Sequence, residues 1–280
     1  MSAGASALEP MEPNRNSRVV TSERTGSAEG GVRGGPTRAA IEAPRLRGTR
    51  ATVRPARVLP ALAALALVAA CHPHLEGNGQ LAEQDRTVDA FTGVWVSDGV
   101  AAHVTIGSPQ SVRVFADSNL VQSIETEVDP LVVGTHLSPD VGTTPVLRVW
   151  VSGQVDPTIP PSVVVTVPSL SFVRAQDGST ADVVGLASPG LRVEAASNGE
   201  VSVAGPGGDH LDVALTDGSA DASAYPVGTA QVSLSGASRA ELDAGLVTGT
   251  ASGTSIVANL VGSGPCYVTT TGSARVTCHP

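Results

Sequence analysis

A polar turn containing glycine recurs along the C-terminal part of the chain and constrains the fold more than any other feature. The glycines of these turns are Gly178, Gly199, Gly218, Gly236 and Gly253, at intervals of 21, 19, 18 and 17 residues. Short Val, Leu and Ala segments lie between them, as in SNGEVSVAG and ASGTSIVANL. Such a period is typical of a β-solenoid, in which each coil buries small apolar side chains against the next. The repeat predicts about five stacked coils. Because it is imperfect, a β-sandwich with evenly spaced hairpins is the alternative.

The preceding section, residues 87–172, shows a clear alternation of apolar and polar residues. It is visible in FTGVWVSD, HVTIG, SVRVFAD, VLRVWVSG and SVVVTVPSL. This period predicts strands with one buried face, and no segment keeps the 3.6-residue period of a helix. Pro160 and Pro161 cannot both lie inside a central strand, so we expect a strand to end there. The sequence therefore predicts an all-β domain over residues 87–280.

An apolar run of thirteen residues, Val58–Ala70, precedes this domain. A spanning helix needs about 20 apolar residues, so the run is too short to cross a membrane. Five arginines lie before it and two alanines close it, which is the pattern of a secretory signal peptide. The segment LVAAC, ending at Cys71, resembles the lipobox of bacterial lipoproteins. That resemblance implies cleavage before Cys71 and a diacylglyceryl group on its sulfur. A short core helix that ends in cysteine is the alternative.

The segments around the apolar run have no pattern that could bury a core. Residues 1–57 are rich in Arg, Gly, Ser, Pro and Ala, and they end in a basic segment. We expect them to be disordered, or to be an extension that results from a start site assigned too early. Residues 58–70 would be the signal-peptide core. Residues 71–86, with the polar stretch HPHLEGNGQLAEQDR, are predicted to be the lipidated cysteine and a flexible tether.

Charge divides the chain in the same place. Residues 1–70 hold 10 Arg and 5 Glu, whereas residues 71–280 hold 7 Arg and 21 acidic residues, so the net charges are +5 and −14. An acidic domain without lysine repels phosphate backbones and offers no basic stripe. We therefore exclude nucleic acid as a partner.

Two cysteines remain after Cys71, in the segment CYVTTTGSARVTC. In an exported chain an even pair is typical of a disulfide, and the segment is nearly symmetric about Gly272, so neighbouring strands could bring the sulfurs together. We predict a Cys266–Cys278 disulfide. Two free buried thiols are the alternative.

Several motifs after residue 87 resemble those of a known family. They are the pairs Val94/Val96 and Val104/Ile106, the A-D-x-N-L motif with Asp117 and Asn119, the continuation Ile124, Thr126 and Val128, and the turn in LSGASRAEL. Together they resemble the GIN domain, the "putative autotransporter adhesin head domain" of bacterial envelope proteins. The resemblance covers roughly residues 87–278. It implies a right-handed parallel β-helix and an adhesion role, and it supplies no ligand-binding residue.

Motifs for enzyme or cofactor chemistry are weak by comparison. The segment Gly77-Asn-Gly79-Gln-Leu-Ala82 matches the sequence pattern of a dinucleotide-binding loop, but no strand is predicted before it. The segment GPGGDHLD at 205–212 resembles a calcium-binding nonapeptide turn, but it occurs in a single copy. His72 and His74 flank a proline in the tether, where a wet linker is the ordinary interpretation. The remaining candidates are carboxylate pairs that a polysaccharide-cleaving β-helix would need, Asp209 with Asp212 and Asp217 with Asp221. Turn acids of an acidic solenoid explain them equally, so no catalytic, cofactor or metal residue is assigned.

The sequence thus favours a lipid-anchored, extracytoplasmic β-helical scaffold of the bacterial cell envelope, non-catalytic, with the outer membrane favoured over the inner. Its expected partners are the membrane, through the lipid, and an unidentified envelope or extracellular ligand. No cofactor is expected. The alternatives are a carbohydrate-active enzyme of β-helix type and a periplasmic structural or signalling partner protein.

Overall fold

A computed structural model of the chain describes residues 74–133, 142–260 and 264–278, all of which belong to a unit that spans Pro60–Pro280. Within these ranges the only helical element is one 3-10 turn, Val121–Ser123, and all other regular structure is β-strand. The all-β prediction is confirmed. The predicted extension 1–57, the apolar run and Cys71 lie outside the described residues.

Twenty strands make up the described structure. They are β1 (Leu75–Glu76), β2 (Leu81–Arg86), β3 (Gly93–Val96), β4 (Ala101–Ile106), β5 (Ser111–Asp117), β6 (Ile124–Val133), β7 (Gly142–Val151), β8 (Val155–Asp156), β9 (Ser162–Val167), β10 (Phe172–Gln176), β11 (Thr180–Val184), β12 (Gly190–Ala196), β13 (Glu200–Ala204), β14 (Gly208–Thr216), β15 (Ser219–Ser235), β16 (Arg239–Ala244), β17 (Val247–Ala251), β18 (Ile256–Asn259), β19 (Cys266–Thr270) and β20 (Arg275–Cys278). Pro160 and Pro161 fall between β8 and β9, as expected.

Parallel pairing arranges most of these strands in two ladders. Face A has the order β7, β3, β10, β12, β14, the C-terminal half of β15, β17 and β19. Face B has the order β9, β4, β11, β13, the N-terminal half of β15, β16, β18 and β20. One strand of each ladder makes a coil, so the chain forms the predicted parallel β-solenoid and not the hairpins of a sandwich.

The spacing of the coils matches the sequence repeat. Phe172 pairs with Arg192, twenty residues on, and Ala230 pairs with Val247, seventeen residues on. One corner is built from residues with a left-handed backbone, at φ between +53° and +75°: Gly99, Gly178, Asn198, Asp217, Gly236, Gly253 and Gly272. The repeat therefore extends one turn beyond the predicted glycines at each end.

Two of the predicted glycines serve a different purpose. At Gly199 and Gly218 the left-handed position belongs to the preceding residue, Asn198 or Asp217, types that tolerate this conformation. A Cβ on Gly199 would lie 2.1 Å from the carbonyl oxygen of Ala175 in the coil beneath. This glycine is needed for the close approach of successive coils.

The core lies between the two faces and follows the alternation of each strand. In β12, for example, Leu191, Val193 and Ala195 are buried, while the residues between them are partly exposed. Fully burying a Val or Leu side chain contributes roughly 1.5–3 kcal/mol, so a stack of such coils supplies its own stability. Tyr225 is the largest side chain that is fully buried.

The order of coils in the stack differs from their order along the chain. β3 lies between β7 and β10, and β4 lies between β9 and β11. The β7–β9 coil is therefore outermost, although β3 and β4 precede it in sequence. Gly93 permits the local packing, because a Cβ there would lie 2.8 Å from Val146 and 3.2 Å from Phe172 on the neighbouring strands.

Antiparallel strands cover the N-terminal end of the stack. β6 pairs with β7 on face A, whereas β5 pairs with β9 and then with β2 on face B. The tether predicted for residues 71–86 is wrong over its described part, since β1 pairs with β8 and β2 with β5. The side chains of β2 alternate between exposed and half-buried, so the strand has no apolar pattern to reveal it in the sequence.

The C-terminal end is built differently. Among the described residues, β19 pairs only with β17 and β20 only with β18, so the last coil presents a free strand edge on each face. Val268 and Val276 are only partly buried against the core there. The Cys266–Cys278 disulfide joins the two strands of this coil, with Cα atoms 6.3 Å apart, which confirms the predicted pairing.

Candidate functional site

Both tryptophans of the chain lie on the outer side of face A, next to arginines of adjoining strands. Trp95 of β3 is in register with Arg148 of β7 and with Arg174 of β10, which flank it. The guanidinium carbons of Arg148 and Arg174 lie 4.6 Å and 4.5 Å from the centre of the Trp95 ring. Arg148 is also 5.2 Å from the ring of Trp150. These are cation–π distances, and they order four large side chains into one layer.

Carboxylates balance the charge of this layer. Arg148 Nη1 lies 3.0 Å from Asp129 Oδ2, and Arg174 Nη1 lies 3.3 Å from Glu194 Oε2. Glu194 also bonds Arg192 on its own strand, at 2.7 Å. We call the group Trp95, Trp150, Arg148, Arg174 and Glu194 the Trp–Arg surface. Each of its two arginines is held by an ion pair and by contact with a tryptophan ring.

A groove begins where the Trp–Arg surface ends. The next residues in the same cross-strand row are Ala214, opposite Glu194, and Ser233, opposite Ala214. The change from large to small side chains leaves a depression of about 220 Å³. We call this depression the face-A groove. Its lining includes Arg174, Glu194, Ala214, Thr216, Ser233 and Ser235.

Asp212 lies beside the groove and has an unusual environment. The residue is 6% exposed, and its Oδ1 is 2.9 Å from Nε2 of His210, whose Nδ1 is 2.9 Å from Thr229 Oγ1. Its Oδ2 is buried and has no hydrogen-bond partner among the described residues. A void of about 10 Å³ lies there, bounded by Asp212, Arg192, Gln231 and Ser233 among others. A buried carboxylate oxygen needs a donor, and the void has room for one water or hydroxyl group.

The shifted pKa values lie away from this surface. Burial is the main cause that raises the pKa of Tyr225 above 10.0, and the charge of Asp209 raises it further. The hydroxyl donates to the Ser188 carbonyl at 3.2 Å. On face B, the hydrogen bond to Asp85 raises the pKa of the exposed Arg113. Both groups act within the fold, and neither lines the groove.

The carboxylate pairs noted in the sequence hold turns and side chains in place. Asp217 Oδ1 accepts from the backbone N–H of Ala237 in the next coil, at 2.8 Å. Asp221 Oδ1 accepts from the Ser223 backbone N–H at 3.0 Å. Asp209 and Asp212 are an odd number of residues apart on β14, so their side chains leave opposite sides of the strand.

The other predicted positions fall in three groups. Cys71 and His72 lie outside the described residues, and His74 is exposed. In the described ranges, no three His, Cys, Asp or Glu side chains are grouped as a metal site would need. The glycines of GPGGDHLD serve packing, since a Cβ on Gly208 would lie 2.0 Å from the Ser188 carbonyl oxygen. None of the described helical structure is long or apolar enough to cross a membrane.

Comparison with known proteins identifies the family. Residues 90–279 match the model of the family described as "Putative auto-transporter adhesin, head GIN domain". The chain belongs to this family. Family and neighbours are named for adhesion or lipid binding, and none of these names is that of an enzyme. A comparison with curated proteins gives no match.

A solved structure shares the fold of this GIN domain, and others resemble it with lower scores. A putative adhesin from Bacteroides fragilis matches with a TM-score of 0.54 at 14% identity, over 73% of this chain and 99% of its own. A putative adhesin from Parabacteroides merdae gives a TM-score of 0.43 at 18% identity, over 73% and 98% of the two chains. A "putative lipid binding protein" from Parabacteroides distasonis gives 0.43 at 13%, over 74% and 100%.

The A-D-x-N-L motif of the GIN domain attaches the N-terminal segment. Asp117 is fully buried, and its carboxylate accepts from the backbone N–H groups of Gly79 at 2.7 Å, Thr158 at 2.9 Å and Ile159 at 3.0 Å. Asn119 Nδ2 donates to the Glu76 carbonyl at 2.7 Å. The motif therefore has a structural role: it fastens the segment that we expected to be a free tether.

The Trp–Arg surface was not predicted from the sequence. From residue 172 onward the sequence has three aromatic residues, Phe172, Tyr225 and Tyr267, so the repeat region gives no sign of an aromatic platform on the solenoid. The structure brings Trp95 and Trp150 to the solenoid face because β7 and β3 stack against β10. The alternation of GVWVSD and VLRVWVSG places both tryptophans opposite the buried valines, but the adjacency of the strands is not encoded locally.

Proposed function

We propose that this protein is a lipid-anchored binding or adhesion scaffold of the bacterial cell envelope, without catalytic activity. The lipid is carried by Cys71, and the ligand is an envelope or extracellular molecule. The outer membrane is the favoured location. Membership of the adhesin-head family supports the general role.

The observation that carries the proposal is the Trp–Arg surface on a stack of parallel strands. Trp and Arg are the side chains most enriched at energetically important binding sites, because they combine a large contact area with directed hydrogen bonds. Here ion pairs and the ring contacts of Arg148 and Arg174 hold these side chains in place before a ligand arrives. A surface organised in advance spends less conformational entropy on binding.

The short N-terminal connection supports a position close to the membrane. Because β1 begins at Leu75 and the segment after it is fastened by Asp117 and Asn119, only residues 72–74 separate Cys71 from the domain. Fully extended, the span from Cys71 to Leu75 covers at most about 14 Å. A lipid on Cys71 would therefore hold the capped end of the solenoid next to the bilayer.

A cysteine substitution tests the anchor. Replacing Cys71 with Ser removes the only atom that can form the thioether, so the variant should leave the detergent-rich phase in phase partition. Cys278→Ser is the matched control, and it should partition with the native protein. If the native protein stays in the aqueous phase, or if its amino-terminal peptide maps before Cys71 by mass spectrometry, the anchor is refuted.

Surface proteolysis tests the adhesion role. We expect protease added to intact cells to release peptides of the domain, since a ligand outside the cell requires exposure there. Cells with a permeabilised outer membrane provide the comparison. A domain that is protected in intact cells and cleaved only after permeabilisation would assign the protein to a periplasmic role instead.

A further inference from the structure

We propose that two copies of this protein join end to end through the strand edges of the last coil, and that the pair connects two facing membranes. The last coil consists of β19 and β20, and we call it the open end. The pairing rests on the features of the open end alone. The placement between two membranes rests also on the lipid anchor proposed above for Cys71.

The open end offers backbone hydrogen-bonding groups that no described strand uses. The N–H of Thr271, directly after β19, donates to Ala251 in the coil beneath. Because the backbone groups of successive residues point to opposite sides of a strand, those of Val268 and Thr270 point away from β17. The same alternation directs the N–H and C=O of Val276 in β20 away from β18.

The core is also incompletely covered at this end. Val276 is only partly buried, although it is in register with Val257 of the coil beneath, which is 0% exposed. Val268 of β19 is likewise only partly buried. A further coil stacked on the open end would cover both valines in the way that each internal coil covers its neighbour.

The two ends of the solenoid differ in how they prevent strand pairing. Charged side chains and proline commonly protect an edge strand. The outermost strands of the N-terminal end contain Glu83 and Asp85 in β2, and Glu125, Glu127, Asp129 and Pro130 in β6. By contrast, β19 has the sequence CYVTT, without charge or proline, and β20 has a single charge, on Arg275. The fold therefore protects one end and leaves the other available for pairing.

Charge favours a second copy at the open end. Residues 71–243 hold 6 Arg and 21 acidic residues, for a net charge of −15, whereas residues 244–280 hold one Arg and no acidic residue. Two copies that met through the acidic part of the domain would repel each other. The open end is the region where this repulsion is weakest, so two copies approach there most easily.

The arrangement of the two edges selects a second copy over a single extended segment of another protein. Such a segment would cover one edge and leave the other without a partner. The Cys266–Cys278 disulfide joins β19 to β20, with Cα atoms 6.3 Å apart, so the two edges are held at a fixed separation. A second copy, related by a two-fold axis, presents two edges at the same separation and pairs with both at once.

Pairing of this kind continues both faces of the solenoid. Because the two-fold axis reverses the strand direction, each new strand pair is antiparallel. The outward side chains of β19, Tyr267 and Thr269, stay exposed to solvent, since a strand added at an edge extends the sheet and does not cover its face.

The pairing determines where the two anchors lie. The proposed anchor on Cys71 is at the capped end, next to β1. From β7 to β19, face A takes seven steps of about 4.8 Å, so the open end lies roughly 34 Å from the outermost coil. Two copies joined at their open ends therefore carry lipid at opposite ends of the pair. The second copy belongs to a facing membrane, which gives the adhesion role a partner: the protein itself.

A proline substitution tests the backbone pairing. Thr270→Pro removes an N–H that points away from β17, and a strand edge accepts proline at such a position. Leu81→Pro is the matched control, at the exposed first residue of β2. Its N–H points away from β5, because in this antiparallel pair the hydrogen bonds are made by Gln80, whose carbonyl accepts from Ser118.

A pair of added charges provides a second test that leaves the backbone unchanged. Thr269→Asp combined with Thr277→Asp places one carboxylate on each strand of the open end, at exposed positions. Ser233→Asp combined with Thr105→Asp is the control, because it adds the same charge at exposed positions of internal coils, one on each face. Thermal unfolding temperatures equal to that of the native protein show that a variant is folded.

Sedimentation equilibrium of the protein, purified from membranes in detergent, measures the pairing. We expect the native protein to form dimers. Thr270→Pro should raise the dissociation constant about tenfold, because the symmetric interface loses one hydrogen bond from each copy. The two aspartates at the open end should raise it by about the same factor, through like charges on paired strands. Both controls should match the native protein.

Vesicle clustering measures the arrangement between membranes. Phosphatidylcholine vesicles that carry the native protein should cluster, which dynamic light scattering detects as an increase in particle size. Vesicles with Thr270→Pro should stay dispersed, and vesicles with Leu81→Pro should cluster. Flotation of the vesicles, followed by detection of the protein, shows that each preparation carries it.

The outcomes separate the inference from the proposed function. Protein that stays monomeric in detergent, or dimers that neither open-end variant weakens, would overturn the pairing. Vesicles that carry the native protein and stay dispersed would overturn the arrangement between facing membranes. Native protein that does not associate with vesicles would refute the lipid anchor and this arrangement with it, whereas dimers in detergent would still establish the pairing.

Discussion

The two ends of the solenoid are built on opposite principles. At the N-terminal end, antiparallel strands close the stack, and a buried carboxylate, Asp117, holds two loops by three backbone hydrogen bonds. At the C-terminal end, two strands have an edge that no other described strand covers, and a covalent bond joins them. The capped end depends on specific polar contacts, whereas the open end depends on a cross-link and on repetition. Each should therefore fail in its own way.

Removal of Asp117 should break the capped end and have the largest effect. Asp117→Ala leaves three backbone N–H groups without their acceptor, and we expect a loss of about 3–4 kcal/mol in the free energy of unfolding. Urea unfolding measures the loss, and hydrogen exchange should show it first in residues 75–86. Asp221→Ala is the control, because that carboxylate is exposed on β15, and its loss should cost roughly 0.5 kcal/mol. A similar loss in both variants would contradict the special role of Asp117.

Reduction of the Cys266–Cys278 disulfide should break the open end. The residues are 12 apart, and closing a loop of that length contributes about 3 kcal/mol in the chain-entropy estimate. We expect reduced protein to unfold at a lower temperature, with faster hydrogen exchange in residues 266–278. Exchange in residues 75–86 should not change, and acceleration there would show that the two ends are not independent.

Two glycine substitutions test the close stacking of the coils between the two ends. A Cβ on Gly249 would lie 1.9 Å from the Val232 carbonyl oxygen, and its φ of +132° disfavours any other residue. Gly249→Ala should therefore cost about 2 kcal/mol. Gly190→Ala is the matched control, since a Cβ there meets nothing within 4 Å. Equal thermal unfolding temperatures for the two variants would show that the coils are not held at this spacing.

The smallest expected effect concerns Tyr225, between the two ends. Its raised pKa means that the folded state keeps the hydroxyl proton more tightly than the unfolded state. The stabilisation of the folded state by this proton is therefore fully present below pH 10. It is lost as the pH rises through the pKa of the folded state, which is the higher of the two. Tyr225→Phe should lose about 1 kcal/mol at neutral pH, with the hydrogen bond to Ser188.

The pH profile distinguishes this role from simple packing. Above pH 10 the difference in unfolding temperature between wild type and Tyr225→Phe should narrow, because only the wild type carries the proton that is lost. Tyr267→Phe, at a side chain that is 69% exposed, should leave the profile unchanged. A constant gap between wild type and Tyr225→Phe from pH 7 to pH 11 would refute the account of Tyr225.

The sequence predicted the features that repeat and missed those that depend on distant contacts. The glycine turns and the Val and Leu alternation are local, so the solenoid and the disulfide could be predicted. The strand β2 was mistaken for tether because its side chains face solvent on one side and are only half-buried on the other. The A-D-x-N-L motif was recognised as a family signature, but its role required the position of Gly79 and Thr158 in space.

The candidate site shows the same limit. Alternation alone places Trp95 and Trp150 on outward positions, but no local pattern indicates that β3 lies between β7 and β10. The outermost coil is formed by strands that come later in the chain than the coil beneath it. Non-local pairing of this kind is decided by the packing of whole strands.

Radical footprinting of the protein in its native envelope tests the central claim, that binding takes place on the Trp–Arg surface. Oxidation of Trp95 and Trp150 would be compared between the envelope-bound and the purified protein by mass spectrometry. Tyr267, on the same face near the open end, and His103, on face B, serve as internal references. The account predicts protection of the two tryptophans, with both references unchanged. Equal oxidation of Trp95 and Trp150 in the two samples, or protection confined to His103 or Tyr267, would contradict it.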